Sequence, residues 1–381
     1  MKDNLNDLFA DRSIDPSYID QKRQQRRLDI QITTKCSLQC PYCIGQLNGI
    51  KNQERKTFLD EMGTDAFLTK IHQLFDGHGI VNFGIPGAGE PTEHPDFVRI
   101  MKELLSFGGF VKITTNMLHG DQILKVCQEM GYTKEQAHEH IQLAISYHYG
   151  ALKVKGELGQ KLRKHIIEKS YPAIIESGVR INAIITPMSP DLLWDDQFIK
   201  DIEHFQQFAT FVPTLGELYG SYNNKMYPKD YTPEEMKQLA KIQAYFNYNY
   251  LNHGLDQLAT TIKQAKKTVP NEAIQHMTNY LMLKGRKCTL PMSYASLDIH
   301  GNINWCNSVP VSYRGRFQDN ITYKDIFMDD VIDCPFDVCA CKSSGNSNCL
   351  FAHHIGLEEY YYAWYKQEKK ETIAQLFKGD E

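Results

Sequence analysis

The chain lacks the features that would direct it into or across a membrane. No apolar run approaches the ~20 residues that a bilayer-spanning helix needs. The opening residues, Met1-Lys2-Asp3-Asn4-Leu5-Asn6-Asp7, lack the basic-then-apolar order of a signal peptide. Charge of either sign is not in excess: the net value of −4 gives no ground for a nucleic-acid surface or a polybasic anchor. There is no internal repeat and no low-complexity tract. These absences point to a globular protein of the cytoplasm.

What is present is a chain of 381 residues, 42% hydrophobic and 23% charged, long enough for one large domain and a smaller one. Ten cysteines stand out. A large chain without an export signal gives them no oxidising compartment, so metal-holding thiolates are expected rather than disulfides. Three lie within Cys36–Cys43 and six within Cys288–Cys349. Cys127, with Ile123, Leu124 and Met130 as neighbours, falls on a helical apolar stripe and reads as a buried structural thiol.

Residues 1–27 read as a polar lead-in that ends in a solvated basic run, Lys22 to Arg27. From Leu28, β-rich runs alternate with amphipathic helices. Strands are expected at Leu28–Thr34, Ile80–Ile85, Phe110–Thr114, Ile141–Ser146, Val179–Thr186 and Ala209–Pro213. Shared helical faces are Phe67/Ile71/Leu74/Phe75, Leu162/Ile166/Ile167 and Ile199/Ile202/Phe205. Strands joined by helices imply a parallel sheet with right-handed crossovers. Six are too few for a closed eight-stranded barrel, so the α/β fold expected is a partial (β/α)6 barrel over 28–231, with functional residues at the C-terminal strand ends. Thr232-Pro233-Glu234-Glu235 opens a helical connector, 232–285, by a capping box. A cysteine-rich domain, 286–355, is expected to need metal to fold, and 356–381 to be a C-terminal helix.

The segment Cys36-Ser37-Leu38-Gln39-Cys40-Pro41-Tyr42-Cys43 follows the first strand directly. Three thiolates on one tight loop can hold three irons of a [4Fe–4S] cluster and leave the fourth iron open for a ligand. Zinc is the rival, but it usually takes four N or S ligands, and no fourth is adjacent.

With this loop the sequence resembles the radical SAM superfamily, and later strand ends extend the likeness. Gly87-Ala88-Gly89-Glu90-Pro91 is similar to the family's Gly-Gly-Glu-Pro segment, with Ala88 as a departure. Thr114-Thr115-Asn116 looks like its Thr-Asn ending, and Ser146 matches a position whose hydroxyl touches S-adenosylmethionine (SAM). The fifth strand lacks the Gly-x-Ile-x-Gly-x-x-Glu pattern of some members. The resemblance implies that Cys36, Cys40 and Cys43 ligate the catalytic cluster. It also implies that Tyr42, Gly89, Glu90, Thr115, Asn116 and Ser146 bind SAM, with Glu90 on its ammonium and Tyr42 near its adenine. His148 reads either as a substrate acid/base or as a structural histidine.

Cys288, twelve residues, Gly301, four residues and Cys306 resemble the opening of the SPASM and Twitch extensions, which bind auxiliary clusters. Ala295–Trp305 between them reads as a hairpin turning at His300-Gly301-Asn302. Cys334, Cys339, Cys341 and Cys349 follow, at spacings that depart from the full SPASM pattern. One auxiliary [4Fe–4S] cluster using Cys288, Cys306 and two of the later four is the preferred reading. Two clusters, or a zinc site, are the alternatives.

The resemblance implies reductive cleavage of SAM to a 5′-deoxyadenosyl radical that takes a hydrogen atom from carbon, with flavodoxin or ferredoxin as electron donor. The expected enzyme is a radical SAM oxidoreductase or peptide-modifying enzyme. Its expected substrate is a ribosomally made peptide or protein, receiving a crosslink, thioether, epimerisation or oxidation. With only 27 residues ahead of the first strand, a separate leader-peptide-binding protein is expected. The alternatives are a small-molecule dehydrogenase or rearrangement enzyme acting on a sugar or nucleoside, and an iron–sulfur electron-transfer protein. The tyrosines Tyr219, Tyr222, Tyr227 and Tyr231 read either as a substrate groove or as a packing seam, and Glu217 as a substrate contact.

Overall fold

The computed structural model describes residues 20, 23–24, 26–43, 56–208, 213–218, 220–251, 287–288, 290–306, 313–329 and 332–333. Cys334, Cys339, Cys341, Cys349, Tyr219, the 356–381 helix, most of the lead-in and most of the connector lie outside them. The chain divides into two compact units. The larger is Asp29–Tyr250 with Ile299–Gly301; the smaller is Met1–Leu28, Leu251–Asp298 and Asn302–Glu381.

In the larger unit, β1 (Arg27–Ile30), β2 (Val81–Ile85), β3 (Gly108–Thr115), β4 (Ile141–Ser146), β5 (Arg180–Met188) and β6 (Thr214–Glu217) lie side by side in sequence order. The pairs from β2 to β6 are parallel. Helices connect them: α1 (Phe58–Met62) and α2 (Thr64–Phe75) before β2, α3 (Phe97–Leu105) before β3, and α4 (Gly120–Met130) and α5 (Lys134–His140) before β4. Between β4 and β5 come α6 (Tyr149–Lys153), α7 (Gly156–His165) and α8 (Tyr171–Ser177), and α9 (Asp196–Gln207) precedes β6. This is the expected partial barrel.

Apolar alternation decides which strand face meets the helices. In β3, Val111, Ile113 and Thr115 are buried while Phe110, Lys112 and Thr114 are only half-buried. Each fully buried Phe, Ile or Leu of the outer layer contributes roughly 1.5–3 kcal/mol. In α2, Phe67, Ile71, Leu74 and Phe75 are all buried, as their spacing predicts, and Cys127 is buried on α4. In α9 the buried face is Phe198/Ile202/Phe205 rather than one centred on Ile199, which is half-buried. The helix expected around Leu162–Ile167 is interrupted by a π-helical segment, Ile166–Ser170. Pro172 follows it; having no N–H to donate to the carbonyl four residues back, it favours the wider turn.

β5 carries one extra residue. Ile181 pairs with Leu143 and Ala183 with Ala144, leaving Asn182 as a bulge. The strand expected at Ala209–Pro213 falls mostly outside the described residues, and β6 occupies Thr214–Glu217. The polar, glycine-containing run Thr214-Leu215-Gly216-Glu217 reads poorly as strand, but registry with Ile185 to Met188 of β5 holds it there. A hairpin, β7 (Gly220–Tyr222) and β8 (Lys225–Tyr227), follows, and then α10 (Pro233–Leu251). Thr232 and Glu235 cap α10 reciprocally: Thr232 N donates to Glu235 Oε2 (2.6 Å) and Glu235 N to Thr232 Oγ1 (3.2 Å). Tyr222, Tyr227 and Tyr231 are buried, and the Tyr227 and Tyr231 rings meet at 4.7 Å, so they form the packing seam.

One buried polar cluster locks α9 to the chain after β4. Asp201 accepts hydrogen bonds from Tyr147 Oη, from Gln197 Nε2 (3.1 Å) and from Arg163, whose Nε lies at 2.6 Å. Asp201 is 2% exposed, and Arg163 is its ion-pair partner.

In the smaller unit, β10 (Tyr294–Leu297) and β11 (Asn302–Asn304) form the expected hairpin, with Leu297 opposite Ile303. β12 (Tyr313–Arg316) pairs antiparallel with β11, and β9 (Lys287–Cys288) with β13 (Ile332–Asp333). Arg26 departs from the solvated basic run. Its guanidinium lies 4.9 Å from the Tyr323 ring centroid, and donates to Tyr323 Oη (2.7 Å) and Met292 O (3.2 Å). A delocalised guanidinium can stack and donate at once, which is why it can leave water here.

Asp201→Ala leaves Arg163 and Tyr147 without their acceptor. It should lower unfolding stability by about 3 kcal/mol in denaturant titration.

Candidate functional site

The site forms where the loops after β1 to β4 meet. Cys36, Cys40 and Cys43 line an open cleft of about 540 Å³ together with Gln39, Gly87, Ala88, Gly89, Glu90, Thr114, Thr115, Asn116, Ser146 and His148. Residues from four separate strand ends thus reach one space.

The cysteine loop is tight: Cys43 N donates to Cys40 O at 3.1 Å, and Gln39 adopts a left-handed φ of +48°. Burial raises the Cys36 thiol pKa, and burial with the neighbouring Cys36 and Cys43 raises that of Cys40. Left bare, such a loop keeps its protons; bound cations would release them. Among the described residues no three His, Cys, Asp or Glu side chains converge on single-ion geometry. Three cysteines set around one cleft suit a cluster of several irons better than one ion.

The loop after β2 packs onto the cysteine loop. Glu90 N donates to Lys35 O at 2.7 Å. A Cβ on Gly89 would fall 2.3 Å from Lys35 O and 2.5 Å from Thr34 C, so only glycine allows this approach. The departure at Ala88 is tolerated, since Ala88 simply lines the cleft.

Glu90 is 3% exposed. Its Oε1 accepts from Thr92 Oγ1 (2.6 Å), Thr115 Oγ1 (2.7 Å) and Thr92 N (3.3 Å), and its Oε2 from Asn116 N (2.7 Å). Burial raises its pKa, and the bonds from Thr92, Asn116 and Thr115 pull it back down. Oε1 is saturated, while Oε2 has one donor and keeps a lone pair, as a carboxylate awaiting an ammonium requires. Asn116 reaches back to the cysteine loop, its Nδ2 lying 3.8 Å from Cys36 Sγ. Thr115 serves Glu90 directly, and Ser146 closes the wall at the β4 end.

Tyr42 stands apart from the other expected SAM contacts. Its side chain is buried, with its ring 5.9 Å from His148 and 5.7 Å from Tyr222, and its hydroxyl accepts from Ala151 N at 3.2 Å. The side chain braces the wall. Burial pushes the His148 pKa down to about 4, so its imidazole is neutral near pH 7, and its Nδ1 has no partner among the described residues. Glu93, which the motif reading passed over, accepts from Ser37 N and Ser37 Oγ inside the cysteine loop. Its acidic side chain three residues after Glu90 was the available signal.

In the smaller unit, Cys306 is buried with Leu290 and Trp305, and the Cys288 backbone is opposite Ile332 in the β9–β13 pair. The four later cysteines are beyond the described residues.

The residues present fit a [4Fe–4S] cluster on Cys36, Cys40 and Cys43 with SAM beside Glu90, on the evidence of the shared cleft, the glycine-only approach and the half-satisfied carboxylate. Comparison with known proteins points to the same cofactors. No family model matches. Over 111 residues, 29% of this chain, it is 32% identical to human Molybdenum cofactor biosynthesis protein 1. Over 123 residues, 30% of the chain, it is 28% identical to a PqqA peptide cyclase of Streptomyces rochei. These stretches are 16% and 28% of the relatives' own lengths. A solved structure, native anSMEcpe with bound AdoMet, aligns over 92% of this chain and 98% of its own, with TM-score 0.49 and 14% identity. A likeness that distant carries no weight for the chemistry. The matched relatives are radical SAM enzymes, and the likeness to them is confined to these stretches of the chain.

Gly89→Ala should leave the fold intact but push the Glu90 loop off Lys35. Anaerobically reconstituted protein should then hold less than about half the iron of the parent, by colorimetric assay.

Proposed function

We propose that this chain is a radical SAM enzyme that takes a hydrogen atom from a carbon of a peptide or protein substrate. One observation carries the SAM reading: the cysteine loop, Glu90, Asn116 and Ser146, from four strand ends, line a single cleft. Bound there, the cluster and SAM supply one-electron cleavage of the S–C5′ bond and hydrogen abstraction, giving methionine and 5′-deoxyadenosine. The chain's own residues hold and shield. Glu90 Oε2 would accept a charge-assisted hydrogen bond from the SAM ammonium. Thr92 and Thr115 keep that carboxylate from turning away. Asn116 donates toward Cys36 Sγ, and neutral His148 adds no charge to the wall. Flavodoxin or ferredoxin is the proposed electron donor, and a separate leader-binding protein the proposed recognition partner.

A second observation favours a peptide over a small molecule. A closed barrel fills its interior with branched apolar side chains. Here Phe110 and Ile185 are apolar, but the other inner-face positions Lys112, Thr114, Gln142, Ala144, Ser146, Asn182, Ala183 and Thr214 are small or polar and mostly half-buried. Asn182 Nδ2 donates to Gln142 Oε1 at 2.6 Å. That leaves Gln142 Nε2 as a donor and Asn182 Oδ1 as an acceptor, side by side and without a partner among the described residues. A peptide group offers the complementary pair. Gln142 is four residues down β4 from Ser146, roughly 13 Å. A ligand touching both the cleft and the amide pair must be about four peptide residues long.

Reduced, reconstituted protein given SAM should form 5′-deoxyadenosine, detectable by chromatography, and Cys40→Ala should lower it by at least about a hundredfold. Product from Cys40→Ala at the parent rate would remove the cluster assignment. Total iron near eight per chain would support an auxiliary cluster, and near four would count against it. For the substrate, an acetylated, amidated random pentapeptide pool should raise product several-fold over the rate without peptide. The same pool N-methylated at its backbone amides should not. In Asn182→Leu and Gln142→Leu that rise, relative to each variant's own rate without peptide, should disappear. An equal rise in both variants would move the substrate elsewhere.

A further inference from the structure

Glu93 closes a short 3₁₀ turn, Pro91–Glu93, capped by Glu90, and Glu93 N donates to Glu90 O at 3.0 Å. Its carboxylate leaves the cleft wall and grips the cysteine loop. Ser37 N donates to Oε1 at 2.8 Å and to Oε2 at 3.0 Å, and Ser37 Oγ donates to Oε1 at 2.7 Å. His119 Nε2, from the stretch after β3, lies 3.9 Å from the same Oε1. The Glu93 side chain is 16% exposed, so solvent screens it little. Ser37 is bonded directly to Cys36, and no expected SAM contact explains these bonds.

We propose that Glu93 is a positioning residue with two effects on the cluster, an inference that rests on the cluster reading above. The first effect is mechanical. Besides its own bonds, the first half of the cysteine loop is held from outside: Lys35 by Glu90, Cys36 by Asn116 and Ser37 by Glu93. Fixing Ser37 fixes the direction of the Cys36 side chain before metal arrives, so less order has to be imposed on binding. The second effect is electrostatic. Reducing a cluster adds an electron, and a carboxylate one residue from a ligating thiolate opposes that addition. The cluster is therefore harder to reduce and, once reduced, a stronger donor to the S–C5′ bond. Glu90 adds a second buried carboxylate on the same side, but its charge is matched when the SAM ammonium binds. Glu93 has no such ligand, so its charge persists through the reaction.

Two variants of the full chain separate the effects. Glu93→Gln keeps the shape and one acceptor oxygen for Ser37 N but drops the charge; Glu93→Leu drops both. Each is reconstituted anaerobically with iron and sulfide, then followed in two ways: iron loss to an excess of chelator, and an electrochemical titration monitored by electron paramagnetic resonance. Glu93→Leu should release iron several-fold faster than the parent, and Glu93→Gln close to the parent rate. At a fixed ambient potential, Glu93→Gln should show a reduced-to-oxidised ratio about three- to tenfold higher, tenfold being ~59 mV for a one-electron couple. A Glu93→Gln titration that overlays the parent's overturns the electrostatic role. Iron release from Glu93→Leu at the parent rate overturns the mechanical one. A parent protein that takes up no cluster overturns the underlying reading instead.

Discussion

The Glu90 carboxylate is the joint on which the site depends. It is buried, and a buried carboxylate is costly unless donors surround it. Those donors come from its own turn, at Thr92, and from the end of β3, at Thr115 and Asn116. Its backbone N–H is committed elsewhere, to Lys35 ahead of the cysteines. One residue therefore satisfies itself only if three strand ends come to the same place. The cleft is the space they enclose, and its chemistry follows from the groups that line it: the Glu90 carboxylate, the three thiols and Ser146.

The two faces of the sheet divide the labour. Outward positions such as Val111, Ile113, Leu143 and Ile145 are fully buried under helices and hold the barrel together. Inward positions, Phe110 and Ile185 apart, are small or polar and contribute less to cohesion. Cohesion is placed where no ligand goes, which frees the lumen for hydrogen-bonding groups that a packed core would not tolerate. The Asp201–Arg163–Tyr147 cluster follows the same logic. Tyr147 follows Ser146 directly, and anchoring it through Asp201 to α9 fixes the backbone from which Ser146 and His148 reach the cleft.

Much of this was legible in the sequence, because the features involved are local. The Cys36–Cys43 spacing, the Glu90 turn, the Phe67–Phe75 stripe and the Thr232/Glu235 cap each declare themselves within a few residues. What was missed depends on partners far along the chain. Glu93 meets Ser37 across 56 positions, and Arg26 leaves water because Tyr323 and Phe327 wait for it. The β6 strand is set by registry with β5 rather than by its own composition. His148 and Tyr222 pack against the Tyr42 ring, and neither neighbour can be read from a short motif.

The extra residue in β5 has a consequence for parity. Along a strand, side chains alternate between faces, so one inserted residue inverts every assignment beyond it. Asn182 and its neighbour Ala183 both turn inward, and only because of that repeat do Ile184, Thr186 and Met188 reach the helices while Ile185 stands beside Ser146. A chain without that residue would have to exchange apolar for polar at each later position of β5, or build its upper wall inside out. Single-residue length changes at this point are therefore not neutral drift in a loop; they are coupled to the identity of every side chain downstream on the strand.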